Sequence, residues 1–207
     1  MEYVTHSFRH AEVILCQPEL KPQLDEIVDV IKGIHDADLI VSFNSHANPA
    51  MSLSRDVNEL LKTGLQSRGW AVESAIFQNE DFDDKRWRLD FAKEKISIEV
   101  AFNHGEAIAW NLLKPVLASE LNHVQKAVQT EIGVVICATA ALKFAGGFDS
   151  AVGEYEKILR YLDPLQDVLT TPILIIGLKA PKTFRINRTR VGTRTIGQIE
   201  MITGPSV

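Results

Sequence analysis

Cysteine is scarce in this chain, which has only two among its 207 residues, Cys16 and Cys137. So few cysteines exclude a scaffold held by several disulfides, and because both have apolar neighbours we expect two buried thiols. The sequence has no apolar run long enough to span a bilayer, which excludes a membrane-spanning helix. The N-terminus lacks a basic segment followed by an apolar one, so we expect a cytoplasmic protein without a secretion signal or membrane partner.

Acidic residues are absent from one long segment. No Asp or Glu occurs between Val168 and Ile199, although the net charge of the chain is −5. Binding of phosphates requires a local positive surface and not a positive total charge. Segment 179–207 is therefore either a phosphate-binding surface or a solvated basic tail. Its candidate DNA contacts are Lys182, Arg185, Arg188, Arg190 and Arg194, with Lys179 beside them.

The rest of the composition, 45% hydrophobic and 24% charged, is ordinary for a globular protein. Hydrophobic periodicity predicts helices at 19–33, 55–68, 105–130 and 150–162. Pro115 is expected to kink or divide the third helix. Apolar runs predict strands at 71–77, 132–138 and 172–178, and polar runs predict loops at 36–54 and 79–84. This order predicts an α/β fold over residues 1–207, a single domain with a mixed central β-sheet flanked by helices.

The segment LDFAKEKISIEVAF, residues 89–102, predicts a β-hairpin with acids on one face. Side chains alternate along its second strand, so one face carries Ser97, Glu99 and Ala101. If residues 92–95 form the loop, Asp90 faces Ser97 and Glu99 is its diagonal neighbour on the same face.

Two carboxylates this close repel each other unless a cation or a proton lies between them. Mg²⁺ commonly takes one or two carboxylate ligands and completes its shell with waters and phosphate oxygens. The hairpin therefore predicts an Mg²⁺ site at Asp90 and Glu99. The alternative is a pair of solvated acids balanced by Lys93 and Lys95.

The hairpin resembles the active-site hairpin of the PD-(D/E)xK nuclease superfamily. More narrowly, it resembles that of the type II restriction endonucleases of the BglII and BstYI branch, which are relatives of BamHI. The resemblance extends to YVTHSFRHAEVIL near the N-terminus, to RDVNELLKTGLQSRGWAVES and to TTPILIIGL. It covers most of residues 3–178.

This resemblance implies a restriction-endonuclease-like fold and Mg²⁺-dependent, sequence-specific double-strand cleavage of palindromic DNA that leaves 5′-phosphate ends. It also implies a homodimer and, as a functional partner, a cognate DNA methyltransferase. Two other functions stay open: a catalytically inactive DNA-binding protein with the same fold, and a nuclease of repair or transposition.

The resemblance assigns roles to particular residues. Asp90 and Glu99 match the metal-binding acids, and the backbone carbonyl of Val100 matches a further ligand. Glu73, three residues after Trp70, matches a position near the metal that is acidic in some relatives, although it could equally be an ordinary strand acid.

Residues that follow the second strand match base-contacting positions. They are Asn103 and His104, and Asn can pair with adenine through two hydrogen bonds. His104 could instead be a simple turn residue before Gly105. The helix after the hairpin is expected to form a dimer contact through Trp110, Leu113 and Leu117, or else to bury these side chains in the core.

Ala101 departs from the family, which has Lys, Glu or Gln at this position. A methyl group cannot orient or polarise an attacking water. The role could have moved to a nearby polar residue, first Glu106 and otherwise His104 or Asn103. It could also be dispensable, or the chain could be inactive.

Overall fold

The computed structural model describes residues 1–48, 50–78, 85–120 and 129–202. The strands are β1 (Tyr3–Phe8), β2 (Ala71–Ala75), β3 (Arg88–Lys93), β4 (Ile96–Ala101), β5 (Ile132–Ala138), β6 (Ile173–Leu178), β7 (Phe184–Val191) and β8 (Arg194–Met201). The helices are α1 (Ala11–Leu15), α2 (Lys21–Gly33), α3 (Asp36–Ser45), α4 (Ser54–Gln66), α5 (Ile108–Ser119), α6 (Ala140–Ala145) and α7 (Tyr155–Leu162). No helix within the described ranges is long and apolar enough to cross a bilayer.

The first six strands form one mixed sheet in the order β1-β6-β5-β4-β3-β2. The central strands β4, β5 and β6 are parallel, and β1, β3 and β2 join them in antiparallel pairs. The chain therefore leaves β4 and β5 at the same edge of the sheet, at Ala101 and Ala138. In open α/β sheets, ligands bind at this carboxyl-terminal edge.

Helices cover both faces of this sheet. Alternate residues of β5 divide between two apolar clusters, with Val134 and Ile136 in one, and Val135 and Cys137 in the other. The first cluster includes buried side chains of α2, α3 and α4, and the second includes those of α5 and α7. The predicted fold class, a mixed central sheet flanked by helices, is confirmed.

The predicted loop at 36–54 is wrong in its first half, because α3 spans Asp36–Ser45. Leu39 and Phe43, four residues apart, bury one face of this helix. The side chain of Asp38 accepts a hydrogen bond from the backbone N–H of His35 at 2.8 Å, which caps the first turn. The polar residues at the start of α3 therefore cap a helix and do not form a turn.

The helix predicted at 105–130 is also shorter than expected. It begins with a 3₁₀ turn at Gly105–Ala107, continues as α5 with Pro115 inside it, and ends before Glu120, which has an extended backbone. Residues 121–128 of that prediction, and the predicted acidic loop at 79–84, lie outside the described residues. The helix predicted at 150–162 begins only at Tyr155.

The described part of the basic segment, residues 179–202, is not a solvated tail. Its strands β7 and β8 are paired along their whole length, from Phe184 opposite Met201 to Val191 opposite Arg194. The side chains of Phe184 and Ile186 are buried in the first apolar cluster.

The expectation of two buried thiols is half wrong, because Cys137 is buried whereas Cys16 is exposed.

Helix α5 lies unusually close to the sheet at one glycine. A Cβ added to Gly133 of β5 would stand 2.5 Å from Pro115 Cβ and 2.9 Å from Pro115 Cγ. Because distances below 3 Å do not occur between such atoms, glycine at this position sets how closely α5 approaches the sheet.

We predict that Gly133→Ala lowers the free energy of unfolding by about 1–3 kcal/mol, because α5 must move away from β5. The matched control is Gly33→Ala at the end of α2, where a Cβ would meet nothing within 4 Å. Alanine there should be neutral or stabilising by up to about 1 kcal/mol. Urea unfolding of both variants measures the difference, and equal stabilities would contradict this description of the α5 contact.

Candidate active site

The hairpin of β3 and β4 has a tighter loop than predicted. Lys93 pairs with Ile96 and Phe91 with Ile98, so the loop contains only two residues instead of four. Glu94 in this loop has φ 50°, the left-handed conformation that two-residue hairpin turns require. The predicted register is therefore wrong. The observed pairs end at Phe91 with Ile98, and the same register extended by one residue would bring Asp90 directly across from Glu99 and not diagonal to it.

Beyond the last paired residues, Phe91 and Ile98, the two strands are joined by hydrogen bonds from backbone N–H groups to side-chain carboxylates. The backbone N–H of Asp90 donates to Glu99 Oε1 at 3.3 Å. The backbone N–H of Val100 donates to Asp90 Oδ2 at 2.7 Å. Each acid is thus fixed by the other strand, and the two carboxylates are held side by side at the sheet edge where β4 ends.

Helix α5 supplies a cation to this pair. Lys114 Nζ donates to Glu99 Oε2 at 2.7 Å, and the two side chains are only 11% and 1% exposed. The face of β4 that carries Glu99 and Ala101 is therefore covered by α5 and not open to solvent. The alternative of solvated acids balanced by Lys93 and Lys95 is wrong, because Lys93 binds Glu26 and Lys95 binds Glu131.

Burial dominates the ionisation of both acids. It raises the pKa of Glu99 from 4.5 to about 8, and the neighbouring charge of Asp90 raises it further while Lys114 opposes the shift. Burial also raises the pKa of Asp90, against the hydrogen bond from Val100 and the charge of Lys114. Glu73 adds a smaller repulsion that raises the pKa of Asp90. A pair with these shifts favours a bound cation or a proton.

A cleft of about 210 Å³ opens beside Asp90. Its lining residues are Asn58, Lys62, Val72, Glu73, Asp90, Phe91 and Val100. Glu73 is exposed and has φ 49° inside β2, an uncommon conformation for a residue other than glycine. The structure thus places Glu73, Asp90 and Val100 around one opening.

The site has the donor atoms for a divalent cation but not a closed cage. Across the described ranges, no group of three or more His, Cys, Asp and Glu side chains could hold a metal. Mg²⁺ does not need such a group, because one or two carboxylates suffice. The carbonyl of Val100 accepts from Phe102 N–H at 3.2 Å and keeps a second lone pair. An open set of oxygen ligands therefore suits the cation here: the carboxylates of Asp90 and Glu99 and the carbonyl of Val100.

Two of the predicted candidates for the missing role at position 101, Glu106 and His104, are exposed, and their role stays a prediction. Ala101 is 2% exposed and packs in the second cluster with Ile108 and Leu112 of α5. Glu106 is exposed on the 3₁₀ turn and is not among the residues that line the cleft with Asp90. His104 is exposed and forms an isolated bridge with Val152.

Asn103 is engaged by its own chain. Its side-chain amide exchanges two hydrogen bonds with Asn111 of α5, at 2.8 Å and 3.3 Å. A base that paired with Asn103 would have to replace this partner. Asn103 and His104 nevertheless lie at the carboxyl-terminal edge of the sheet, where a ligand of β4 and β5 is expected.

A second, larger cavity of about 710 Å³ lies between α6 and the β7–β8 hairpin. Its polar lining comprises Lys143, Ser150, Glu154, Arg185, Asn187, Arg188 and Glu200. Two of the predicted DNA contacts are neutralised within the chain, because Lys182 pairs with Glu2 and Arg185 with Glu200. Within the described ranges, Arg188, Arg190 and Arg194 have no acidic partner.

Lys114 is not among the site residues that the sequence predicted. The signal was a lysine within an otherwise apolar helical segment, NLLKPVL, at a position that faces the sheet. Lysine is almost never buried without a partner, so an acid beneath it could have been expected. Nothing in the sequence pattern alone identified which acid.

We predict that the metal-free protein loses stability as pH rises from about 4.5 to about 8. In this window the unfolded chain releases the Glu99 proton while the folded protein, whose pKa at Glu99 is about 8, retains it. The folded state binds more protons, so the free energy of unfolding falls by on the order of a few kcal/mol and is constant above the window.

Glu99→Gln should flatten this slope, whatever its effect on absolute stability. The control is Glu59→Gln on α4, an exposed acid paired with Arg55. Thermal unfolding in EDTA across pH 4 to 9 measures both variants. An unchanged slope in Glu99→Gln would show that Glu99 does not carry the raised pKa.

The family model described as restriction endonuclease BglII/BglIII matches residues 3–178. The crystal structure of BglII complexed with a DNA 16-mer is similar, with a TM-score of 0.68 and 18% sequence identity over 98% of this chain and 100% of that chain. Free BglII gives a TM-score of 0.58 at 17% identity with the same coverage. A comparison with curated proteins found no match.

At such identities the two structures support the fold alone. The family model shows more, because it matches well over half of the chain. The enzyme class is that of a type II site-specific nuclease. The chain belongs to the BglII/BglIII restriction endonuclease family.

Proposed function

We propose that this chain is an active endonuclease that cleaves both strands of DNA at a short palindrome with Mg²⁺ held by Asp90 and Glu99. The observation that carries the proposal is the pair of neighbouring carboxylates at the carboxyl-terminal edge of the sheet, of which Asp90 lines an open cleft and Glu99 is buried behind it. The raised pKa of both acids is consistent with it, because such a pair is stabilised by a bound cation or by a proton.

Within this proposal, Asp90, Glu99 and the Val100 carbonyl would hold the ion. When bound, a divalent cation lowers the pKa of its water and neutralises charge that builds on the phosphate. Two backbone groups orient the carboxylate ligands: Val100 N–H donates to Asp90, and Asp90 N–H donates to Glu99. The two acids serve as ligands, and Glu73 borders the same cleft. The products carry 5′ phosphates.

DNA would lie along the carboxyl-terminal edge of the sheet and contact the basic hairpin. Arg188 and Arg190 lie on β7, are exposed and have no acidic partner within the described ranges, so both are free to bind phosphates. Lys182 and Arg185 would have to leave Glu2 and Glu200, and Arg194 lies at the hairpin turn. Asn103 and His104 are the proposed base contacts, Asn103 after release of Asn111.

A palindrome is cut most simply by a two-fold dimer, in which each subunit cuts one strand. The proposed dimer contact on α5 uses side chains that are half-buried within their own chain: Trp110 packs on Trp87 at 5.2 Å, Leu113 joins the second cluster and Leu117 the third. Their remaining exposed surface is the part available to a partner. A cognate DNA methyltransferase in the cytoplasm would protect the host site.

The rival function is a DNA-binding protein that has lost catalysis at Ala101. It keeps the fold and the basic hairpin but predicts intact DNA at every metal and salt concentration. A repair or transposition nuclease would cleave without a fixed site. Digestion of phage DNA with Mg²⁺ separates the three, because only the proposed function gives discrete bands.

We predict that Asp90→Asn reduces single-turnover cleavage by on the order of a thousandfold or more, because a metal ligand supplies several kcal/mol of transition-state stabilisation. DNA binding and thermal stability should remain. The matched control is Asp25→Asn, which removes an exposed acid that pairs with Lys21 on α2. A normal rate in Asp90→Asn would show that this acid is not part of the site.

We predict that Arg188→Ala or Arg190→Ala weakens binding to all DNA sequences alike and reduces the salt slope by about 1 for each phosphate that the variant no longer neutralises. Arg55→Ala is the control, because Arg55 is exposed on α4 and paired with Glu59. Fluorescence anisotropy at several salt concentrations measures the slope. Unchanged slopes in both β7 variants would place the DNA elsewhere.

A further inference from the structure

We propose that Lys114 is a positioning residue of the active site: its ammonium group holds Glu99 Oε2 throughout cleavage, so that Oε1 stays bonded to the backbone N–H of Asp90. This inference rests on the proposed function. It adds to that function a third side chain, which comes from helix α5 and not from the catalytic strand.

The geometry fixes both partners. Lys114 Nζ stands 2.7 Å from Glu99 Oε2, while Oε1 of the same carboxylate accepts from Asp90 N–H at 3.3 Å. Each carboxylate oxygen of Glu99 therefore has one assigned donor and keeps one further lone pair for a metal. Loss of the lysine would free the carboxylate to rotate about its last bond.

The position of α5 explains why Ala101 and Lys114 belong together. Residues 99 and 101 point to the same face of β4, and Ala101 is packed under Ile108 and Leu112. A longer polar side chain at 101 would occupy the space that α5 fills. Because Ala101 is small and Gly133 admits Pro115, α5 lies close enough to deliver Lys114 to Glu99.

Stability alone does not explain why Lys114 is buried against Glu99. Removing two charges from water costs more than their attraction returns unless the geometry is favourable, and apolar residues of similar volume often stabilise as well or better. The cleft has a second cation, Lys62, but it is exposed, and within the described ranges no acid is paired with it. Lys114 is thus the cation that the fold holds in one place.

The rival explanation is that Lys114 is only a counter-ion that leaves when the metal binds. The two explanations predict opposite results. A displaced counter-ion competes with the metal, so its removal should tighten metal binding and leave cleavage unchanged or faster. A positioning residue should be needed for cleavage, and its removal should not tighten metal binding.

The test compares Lys114→Met, Lys114→Gln and Lys114→Arg with the parent. Lys114→Met should reduce single-turnover cleavage by about a hundredfold, the usual effect of a small misplacement of a reacting group. Lys114→Gln keeps a hydrogen-bond donor without the charge and covers the case in which the Met variant does not fold. Lys114→Arg should retain more activity than either, because it keeps a cationic donor to Glu99.

The matched control is Lys93→Met, which breaks another lysine–carboxylate pair in the same hairpin, with Glu26. It should cleave at nearly the parental rate. Titration of Mn²⁺ alone into each folded variant, followed by calorimetry, supplies a readout that does not depend on activity. The expected affinity of Lys114→Met and Lys114→Gln is equal to that of the parent or weaker.

Tighter Mn²⁺ binding with undiminished cleavage in these variants would overturn the proposal in favour of the counter-ion. If the parent itself does not cleave, the proposed function fails, and the Mn²⁺ titration still decides whether Lys114 holds Glu99 or competes with the metal. Parental cleavage rates in all three Lys114 variants would overturn the positioning role and leave the proposed function intact.

Discussion

Two neighbouring carboxylates, Asp90 half-buried and Glu99 fully buried, repel each other, and the arrangement of this sheet edge follows from how that repulsion is balanced. Asp90 and Glu99 each accept a backbone N–H from the opposite strand, and Lys114 adds a positive charge from the helix above. The compensation is incomplete, since burial, together with the charge of Asp90, raises the pKa of Glu99 to about 8 despite Lys114. A site in this state is stabilised by a proton or by one more cation, which is the physical argument for the proposed metal binding.

The balance depends on how closely α5 packs. Gly133 and Ala101 leave room for the helix, Pro115 fills the space over Gly133, and the Asn103–Asn111 pair ties the end of β4 to the same helix. These contacts connect the core to the chemistry, because a shift of α5 moves Lys114 relative to Glu99. They also connect catalysis to DNA recognition, since Asn103 is both a tether to α5 and the proposed reader of a base.

The sequence was sufficient to predict the α/β class, the hairpin and its two acids, because alternation along β4 and the apolar runs of β5 and β6 are local patterns. The register of the hairpin could not be predicted, since it depended on Glu94 adopting a left-handed conformation. Lys114 was missed because its partner lies across the helix–sheet interface. The packing of the basic hairpin through Phe184 and Ile186 was hidden for the same reason: isolated apolar residues in a polar segment show burial only when their contacts are known.

The most direct measurement is an anomalous difference map from crystals of the protein soaked in Mn²⁺. The predicted result is a peak within coordination distance of one carboxylate oxygen of Asp90 and one of Glu99, with Lys114 still bonded to Glu99 Oε2. A map with no peak between these acids, or with Mn²⁺ bound only at other residues, would contradict the assignment of this hairpin as the metal centre.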